Sequence, residues 1–234
     1  MTGTDTGVGK TLIACALLRA FAARGVRAVG MKPVASGAER RGDALVNADV
    51  EQLIASGSVA APRECINPYC FEPPLAPHIA AQQAGVTISL DRITRDFRVL
   101  AGLAQRVIVE GVGGFRAPLG AEHDTADLAA RLGLPVVLVV GLRLGCLNHA
   151  LLTAEAIAAR GLALAGWVAN LIDPDMAAVD ANVATLRARI AAPLLARVPH
   201  LYAPDPAAVA AAIDVDCLQE GAILRRRSPS KSRH

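Results

Sequence analysis

What most constrains this chain is a set of short apolar runs that do not alternate. They are "VRAVGMKP" (26–33), "RVIVEGVGG" (106–114), "PVVLVVG" (135–141), "LALAGWVAN" (162–170) and "PLLARVP" (193–199). Strands of this kind offer almost no polar face to water. They must be covered on both sides, the condition of a parallel sheet held between helices. The stretches between them have helical spacing. Over 10–24, Leu12, Ile13, Ala16, Leu17, Ala20 and Phe21 recur every three or four residues, and Gly25 follows as a stop. Helices are also expected over 48–56, where Asn47 can cap the first turn, from about Pro77, and over 90–104, 125–132, 147–160, 175–191 and 206–213. Residues 34–46 read as a polar loop.

The pattern predicts an α/β fold: three layers, with a doubly wound, mostly parallel sheet and helices on both faces. There is no internal repeat, and no linker-like shift in composition interrupts 1–222, which reads as a single domain. Residues 223–234 read as a basic, disordered tail. The formal charge of +3 belongs to that end of the chain. Five of the 24 Lys and Arg lie in the last ten residues, and the remaining 19 face 21 Asp and Glu. A near-neutral body gives no reason to expect a nucleic-acid or membrane partner. No apolar run approaches the ~20 residues of a membrane helix. The five cysteines show no C-x-x-C spacing. They read as buried or incidental thiols of a cytoplasmic protein.

The chemistry is concentrated at strand ends. "TGTDTGVGKT" (2–11) runs straight into the first helix. A glycine-rich loop at a helix start cradles phosphate, because the first N–H groups have no partner inside the helix and the dipole favours an anion. Gly7 and Gly9 allow close backbone approach, Lys10 brings a charge to the β/γ-phosphates, and Thr11 offers a hydroxyl to Mg²⁺. The spacing from Gly3 is one residue longer than in the common form of the motif. Further polar groups end other strands: Lys32 followed by Ser36, Glu110 before a run of glycines, and Asn170. Asp49 opens a helix. A carboxylate ending so apolar a strand as 106–109 is costly unless paired or on a metal, which marks Glu110 as a metal-side residue. Asn170 carries donors and acceptors suited to an adenine edge. The histidines form no triad with a Ser or Cys.

These segments, with "KPVASG" (32–37), "NAD" (47–49), "NPYCF" and "PHIAA" (67–81), "VEGVGG" (109–114), "PVVLVVGLRLGCLNHALLTAEAI" (135–157) and "LAGWVAN" (164–170), stand in the order of the dethiobiotin synthetases, which the chain resembles over most of 2–202. The resemblance implies a P-loop ligase that converts 7,8-diaminopelargonate, CO₂ and ATP to dethiobiotin, ADP and phosphate with Mg²⁺. The route runs through a carbamate and a carbamic-phosphoric anhydride. It implies catalytic roles for Lys10 and Lys32. It places the nucleotide on Gly7, Val8, Gly9, Lys10, Thr11 and Leu12, beside Asp49, Glu110, Gly111, Val112 and Gly113. Asn170, Pro199, His200 and Leu201 would surround the base, and Thr11, Asp49 and Glu110 would hold the metal. Ser36 would touch the diamine or carbamate. Gly145, Cys146, Leu147 and Asn148 would bind the substrate carboxylate of a partner subunit, which makes the enzyme a homodimer.

Two other readings compete. A related P-loop amidoligase would carry a glutaminase region, for which this chain is too short. A partition-type nucleotide-switch ATPase would have a lysine early in the loop, where Asp5 stands here. One expectation concerns the first strand. A phosphate loop hangs from a central strand, yet only Met1 and Thr2 precede Gly3. The first strand therefore reads as truncated, and a short apolar strand is expected upstream of Met1.

Overall fold

The computed structural model describes residues 1–218. In chain order its elements are β1 (Thr2–Gly3), α1 (Lys10–Ala23), β2 (Ala28–Met31), β3 (Val34–Ser36), β4 (Glu39–Arg41), β5 (Ala44–Val46), α2 (Ala48–Ser56), α3 (Arg63–Ile66), β6 (Tyr69–Phe71), α4 (Pro77–Gln83), α5 (Leu90–Leu103), β7 (Arg106–Val109), α6 (Thr125–Leu132), β8 (Val136–Leu142), α7 (Cys146–Ala159), β9 (Leu164–Leu171), α8 (Val179–Arg189), β10 (Leu194–Val198) and α9 (Pro206–Ala212). The basic tail expected over 223–234 lies outside the described residues.

The main sheet is parallel, in the order β1-β8-β9-β10, and β2 pairs in parallel with β7. Met1 bridges the two parts: its nitrogen donates to Val109 O, and Gly111 N donates to Met1 O. β8 shows why an unbroken apolar run was required. Val137 and Val139 pack with α1 and α9, while Leu138, Val140 and Leu142 pack with α7 and α8. Both faces are covered, as parallel strands demand. The fully buried Trp167 of β9 joins the second of these clusters.

The helices begin where capping chemistry allows. Asn47 Oδ1 accepts from the N–H groups of Asp49 and Val50 at the start of α2, and Asp124 forms a reciprocal capping box with Asp127 at the start of α6. Three expectations need correction. Residues 34–46 are not a loop: β3 pairs with β6, and β4 and β5 form an antiparallel hairpin that turns at Gly42. Strands of three residues, most of them exposed in the hairpin, are too short to show alternation. The helix expected over 175–191 is confined to Val179–Arg189, since Ala178 takes a left-handed conformation just before it. The strand expected over 106–114 ends at Val109, where Glu110 and the glycines turn the chain toward the site.

Candidate active site

The carboxyl ends of β1, β2 and β7 converge on one cleft of about 730 Å³. Its lining includes Gly7, Gly9, Lys10, Thr11, Lys32, Ser36, Asp49, Glu110, Val112 and Gly113, so loops that are distant in sequence meet here. Pro74, Leu75, Ala76 and Pro77 close one side of it.

The phosphate loop is built around two glycines and an asparagine. Gly9 has φ +90° and caps α1, and a Cβ there would fall 2.3 Å from Asn170 Nδ2. Only glycine fits that contact. Asn170, buried at the end of β9, donates from Nδ2 to Val8 O at 2.9 Å and so fixes the loop from beneath. Asp5 is tied outward, with Arg143 donating to its carboxylate at 2.5 Å. Lys10 Nζ folds back to donate to Asp5 O at 2.8 Å. Burial pushes the Lys10 ammonium down to about 8, against the Glu110 carboxylate, which pulls it up.

At the centre of the cleft stands a chain of charge. Lys32 Nζ lies 2.6 Å from Asp49 Oδ2 and 2.7 Å from Glu110 Oε1. Thr11 Oγ1 donates to the same Glu110 oxygen at 2.8 Å. Burial works to lower the Lys32 pKa, but Glu110 and Asp49 outweigh it and hold the ammonium above the ordinary lysine value. Glu110 is fully buried, and among the described residues its second oxygen, Oε2, has no hydrogen-bond partner. Ser36 Oγ is likewise buried and without a partner among them. Two asparagines position this group. Asn47 Nδ2 donates to Ser36 O, and Asn67 Nδ2 donates to Lys32 O.

Comparisons with known proteins place the whole chain. A family model described as an AAA domain matches residues 1–208. The ATP-dependent dethiobiotin synthetase BioD of Aromatoleum aromaticum (strain DSM 19018 / LMG 30748 / EbN1) is 58% identical over 213 residues, covering 91% of this chain and 95% of that protein. The chain belongs to the dethiobiotin synthetase family. Among solved structures, the MinD cell division protein of Aquifex aeolicus aligns over 98% of both chains, with TM-score 0.52 and 14% identity. The MinC:MinD complex from the same organism aligns over 100% of this chain and 97% of that one, with TM-score 0.50 and 13% identity. At that level of identity the two structures share the fold alone.

Of the residues expected around the phosphates, Gly7, Gly9, Lys10, Thr11, Val112 and Gly113 line one cleft with Lys32, Ser36, Asp49 and Glu110, whereas Val8, Leu12 and Gly111 do not, the first two packing into the core. The other expected residues lie elsewhere. Asn170 sits under the loop, and the register of β10 on β9 pairs Val198 with Asn170, so Pro199, His200 and Leu201 follow directly beside it. His200 packs edge-on against Tyr202. Gly145, Cys146, Leu147 and Asn148 start α7 and do not line the cleft. Gly145 caps α7 without a side-chain bond, and the adjoining Leu144 is 94% exposed. Arg143 and Asn67 were not singled out in the sequence. Asn67 stands in the quoted "NPYCF" motif, but an asparagine that serves two backbone carbonyls has no spacing to betray it.

Proposed function

We propose that the chain closes the ureido ring of dethiobiotin from 7,8-diaminopelargonate, CO₂ and ATP, releasing ADP and phosphate. The observation that carries the reading is the Lys32 ammonium, buried between Asp49 and Glu110 and within one side chain of Thr11 and the phosphate loop. A carbamate must approach an anionic γ-phosphate, and their repulsion must be screened. Two buried lysines, Lys10 at the start of α1 and Lys32 just beyond β2, supply that screening. The free amine of the diamine takes up CO₂ as carbamate, and a carbamate oxygen attacks the γ-phosphorus as ADP leaves. The second amine then attacks the carbamoyl carbon, closes the ring and expels phosphate. Lys10 neutralises charge on the β- and γ-phosphates, and Lys32 acts on the group being transferred. Ser36 Oγ, buried and unpartnered, is placed to bond the carbamate or diamine.

The donors also fit Mg²⁺. Glu110 Oε2 is buried with no partner, Thr11 offers a hydroxyl, and Asp49 stands on the far side of Lys32. Among the described residues no three His, Cys, Asp or Glu side chains form a cage. A magnesium ion that keeps most of its water and binds through one or two carboxylates and substrate phosphates needs none. Held by Thr11, Asp49 and Glu110, it would supply positive charge against the phosphoryl group being transferred.

The start of α7 supports a shared site. Free N–H groups at Leu147 and Asn148, remote from the cleft of their own chain, would receive the substrate carboxylate of a second copy. The exposed Leu144, just before α7, and Leu152, midway along it, would be covered in that homodimer. Among the described residues no helix is long and apolar enough to cross a membrane.

Steady-state phosphate release tests the reading. Release that requires both the diamine and a CO₂ source supports it. Release that is indifferent to the diamine but stimulated by DNA or lipid vesicles would return the chain to the nucleotide-switch class.

A further inference from the structure

The phosphate loop is held from outside the cleft as well as from beneath. Neither Asp5 nor Arg143 lines the cleft, yet the two form an ion pair beside it. β8 grips the root of the loop first: Thr4 N donates to Val139 O at 3.0 Å. Arg143 directly follows β8 and extends that grip to the next residue of the loop. Its main chain belongs to the start of α7, where Arg143 O accepts from Cys146 N at 3.0 Å. Its side chain turns back, and Nη2 donates to Asp5 Oδ2 at 2.5 Å.

Asp5 is bonded on three sides. Oδ1 accepts from Thr6 N at 2.7 Å, Oδ2 takes the guanidinium, and the main-chain O takes Lys10 Nζ at 2.8 Å. The Thr6 amide, with Arg143 and His149 behind it, holds the Asp5 carboxyl below the usual carboxylate range. An anion therefore stands in a loop that must receive anionic phosphates, and like charges at that range repel. It also belongs to the residue that the Lys10 ammonium already touches. A carboxylate released from Arg143 is free to turn and take that ammonium in a charge-assisted bond, stronger than the present bond to a carbonyl. Among the described residues Arg143 is the one side chain that donates to the Asp5 carboxylate.

We propose that Arg143 is a positioning residue for the nucleotide. It keeps the Asp5 carboxylate away from Lys10 and from the incoming phosphates, and so leaves Lys10 to serve the nucleotide. An arginine suits this task, because its planar fork matches a carboxylate and its charge is permanent. Both partners are half-exposed, so the pair adds little to stability and its effect falls on affinity and turnover. The inference rests on the reading of the loop as the phosphate site, and not on the steps of ring closure.

Four proteins test it: wild type, Arg143→Ala, Arg143→Lys and the double variant Asp5→Asn/Arg143→Ala. The readouts are ATP affinity by equilibrium dialysis without diamine, the steady-state constants, and the thermal midpoint. Arg143→Ala is expected to weaken ATP binding and to lower turnover by about tenfold each, with KM for the diamine within about twofold. Its midpoint should stay within about 3 °C of wild type. Arg143→Lys and the double variant should both return to within about threefold of wild type, the first by restoring the cation and the second by removing the anion. A merely structural arginine would not be rescued by the loss of its partner's charge. A double variant as impaired as Arg143→Ala overturns the proposal. So does unchanged ATP affinity in Arg143→Ala, or a rise confined to KM for the diamine, which would make Arg143 a substrate contact. A wild type that binds no ATP would overturn the reading of the loop and this proposal together.

Discussion

Replacing Lys32 with alanine removes the one cation among the described residues that touches Glu110. Lys32 is 5% exposed and Glu110 is fully buried, so neither is screened by water. In the variant, Glu110 keeps a single bond, from Thr11 Oγ1 to Oε1, while Oε2 was without a partner from the start. Asp49 loses less, because its side chain is 41% exposed and can turn to solvent. The cost is therefore mainly that of one buried carboxylate stripped of its counter-ion, about 3–5 kcal/mol. In a chain of this size that lowers the thermal midpoint by roughly 6–20 °C. The double variant Lys32→Met/Glu110→Gln, which removes both charges and keeps the volume, should recover most of the loss. Denaturant unfolding of wild type, both single variants and the double variant isolates the pair. Kinetics separate stability from chemistry. Turnover in Lys32→Ala should fall by about 10²–10³, because the lost charge acts on the transferring group, while KM for ATP changes only a few-fold. A Lys32→Ala protein within about 1 kcal/mol of wild type, or a double variant no more stable than the single, would refute the electrostatic account. A loss in KM for ATP with turnover unchanged would remove Lys32 from the transfer step.

Three other outcomes follow from the same geometry. Burial pushes Lys10 from 10.5 down to about 8, so the anionic phosphates of ATP should draw a proton back onto it. Above about pH 8 nucleotide binding should take up a proton and weaken as pH rises, which calorimetry in two buffers of different ionisation heat measures at pH 8.5. In folding the sign is the reverse: between 8 and 10.5 the unfolded chain holds more protons, so this lysine's contribution to stability rises with pH across that window. Ser36→Ala removes a hydroxyl that has no bond to lose, so stability should hold within about 0.5 kcal/mol while KM for the diamine rises; a stability loss above 1 kcal/mol with normal kinetics would make Ser36 structural. Gly9→Ala forces a Cβ onto Asn170 Nδ2 at a left-handed backbone position, and nucleotide binding by equilibrium dialysis should be lost, while Asn170→Ala, which only frees Val8 O, should weaken it by a few-fold.

The sequence disclosed the elements that carry a period and hid those that do not. α1 was legible from its apolar spacing and the stop at Gly25, and α2 from its cap at Asn47, whereas the Asp124 cap of α6 is seen only in the structure. β8 was legible because seven consecutive residues are buried. The β4–β5 hairpin was not, since its short strands are mainly exposed and meet no core. The site divides in the same way. Glu110 stood out as a carboxylate closing an apolar strand. Its pairing with Lys32, 78 residues away, is a product of the β2–β7 ladder, which sets Met31 against Val109 and so brings the next residues of both strands together. Asn170 was legible as a strand-end amide but not in its contact. The structure spends its donor on Val8 O, a backbone group that no pattern of side chains reports.

The central claim is that a carbamate oxygen attacks the γ-phosphorus inside the Lys10–Lys32 cleft. The most direct test supplies ¹⁸O-labelled CO₂ with diaminopelargonate and ATP in unlabelled water, and reads the released phosphate by mass spectrometry within a time short against CO₂–water exchange. One ¹⁸O in each phosphate, with another kept in the ureido carbonyl, is the predicted result. Phosphate that carries no label from CO₂ would mean that water, not carbamate, is the acceptor, and would contradict the account.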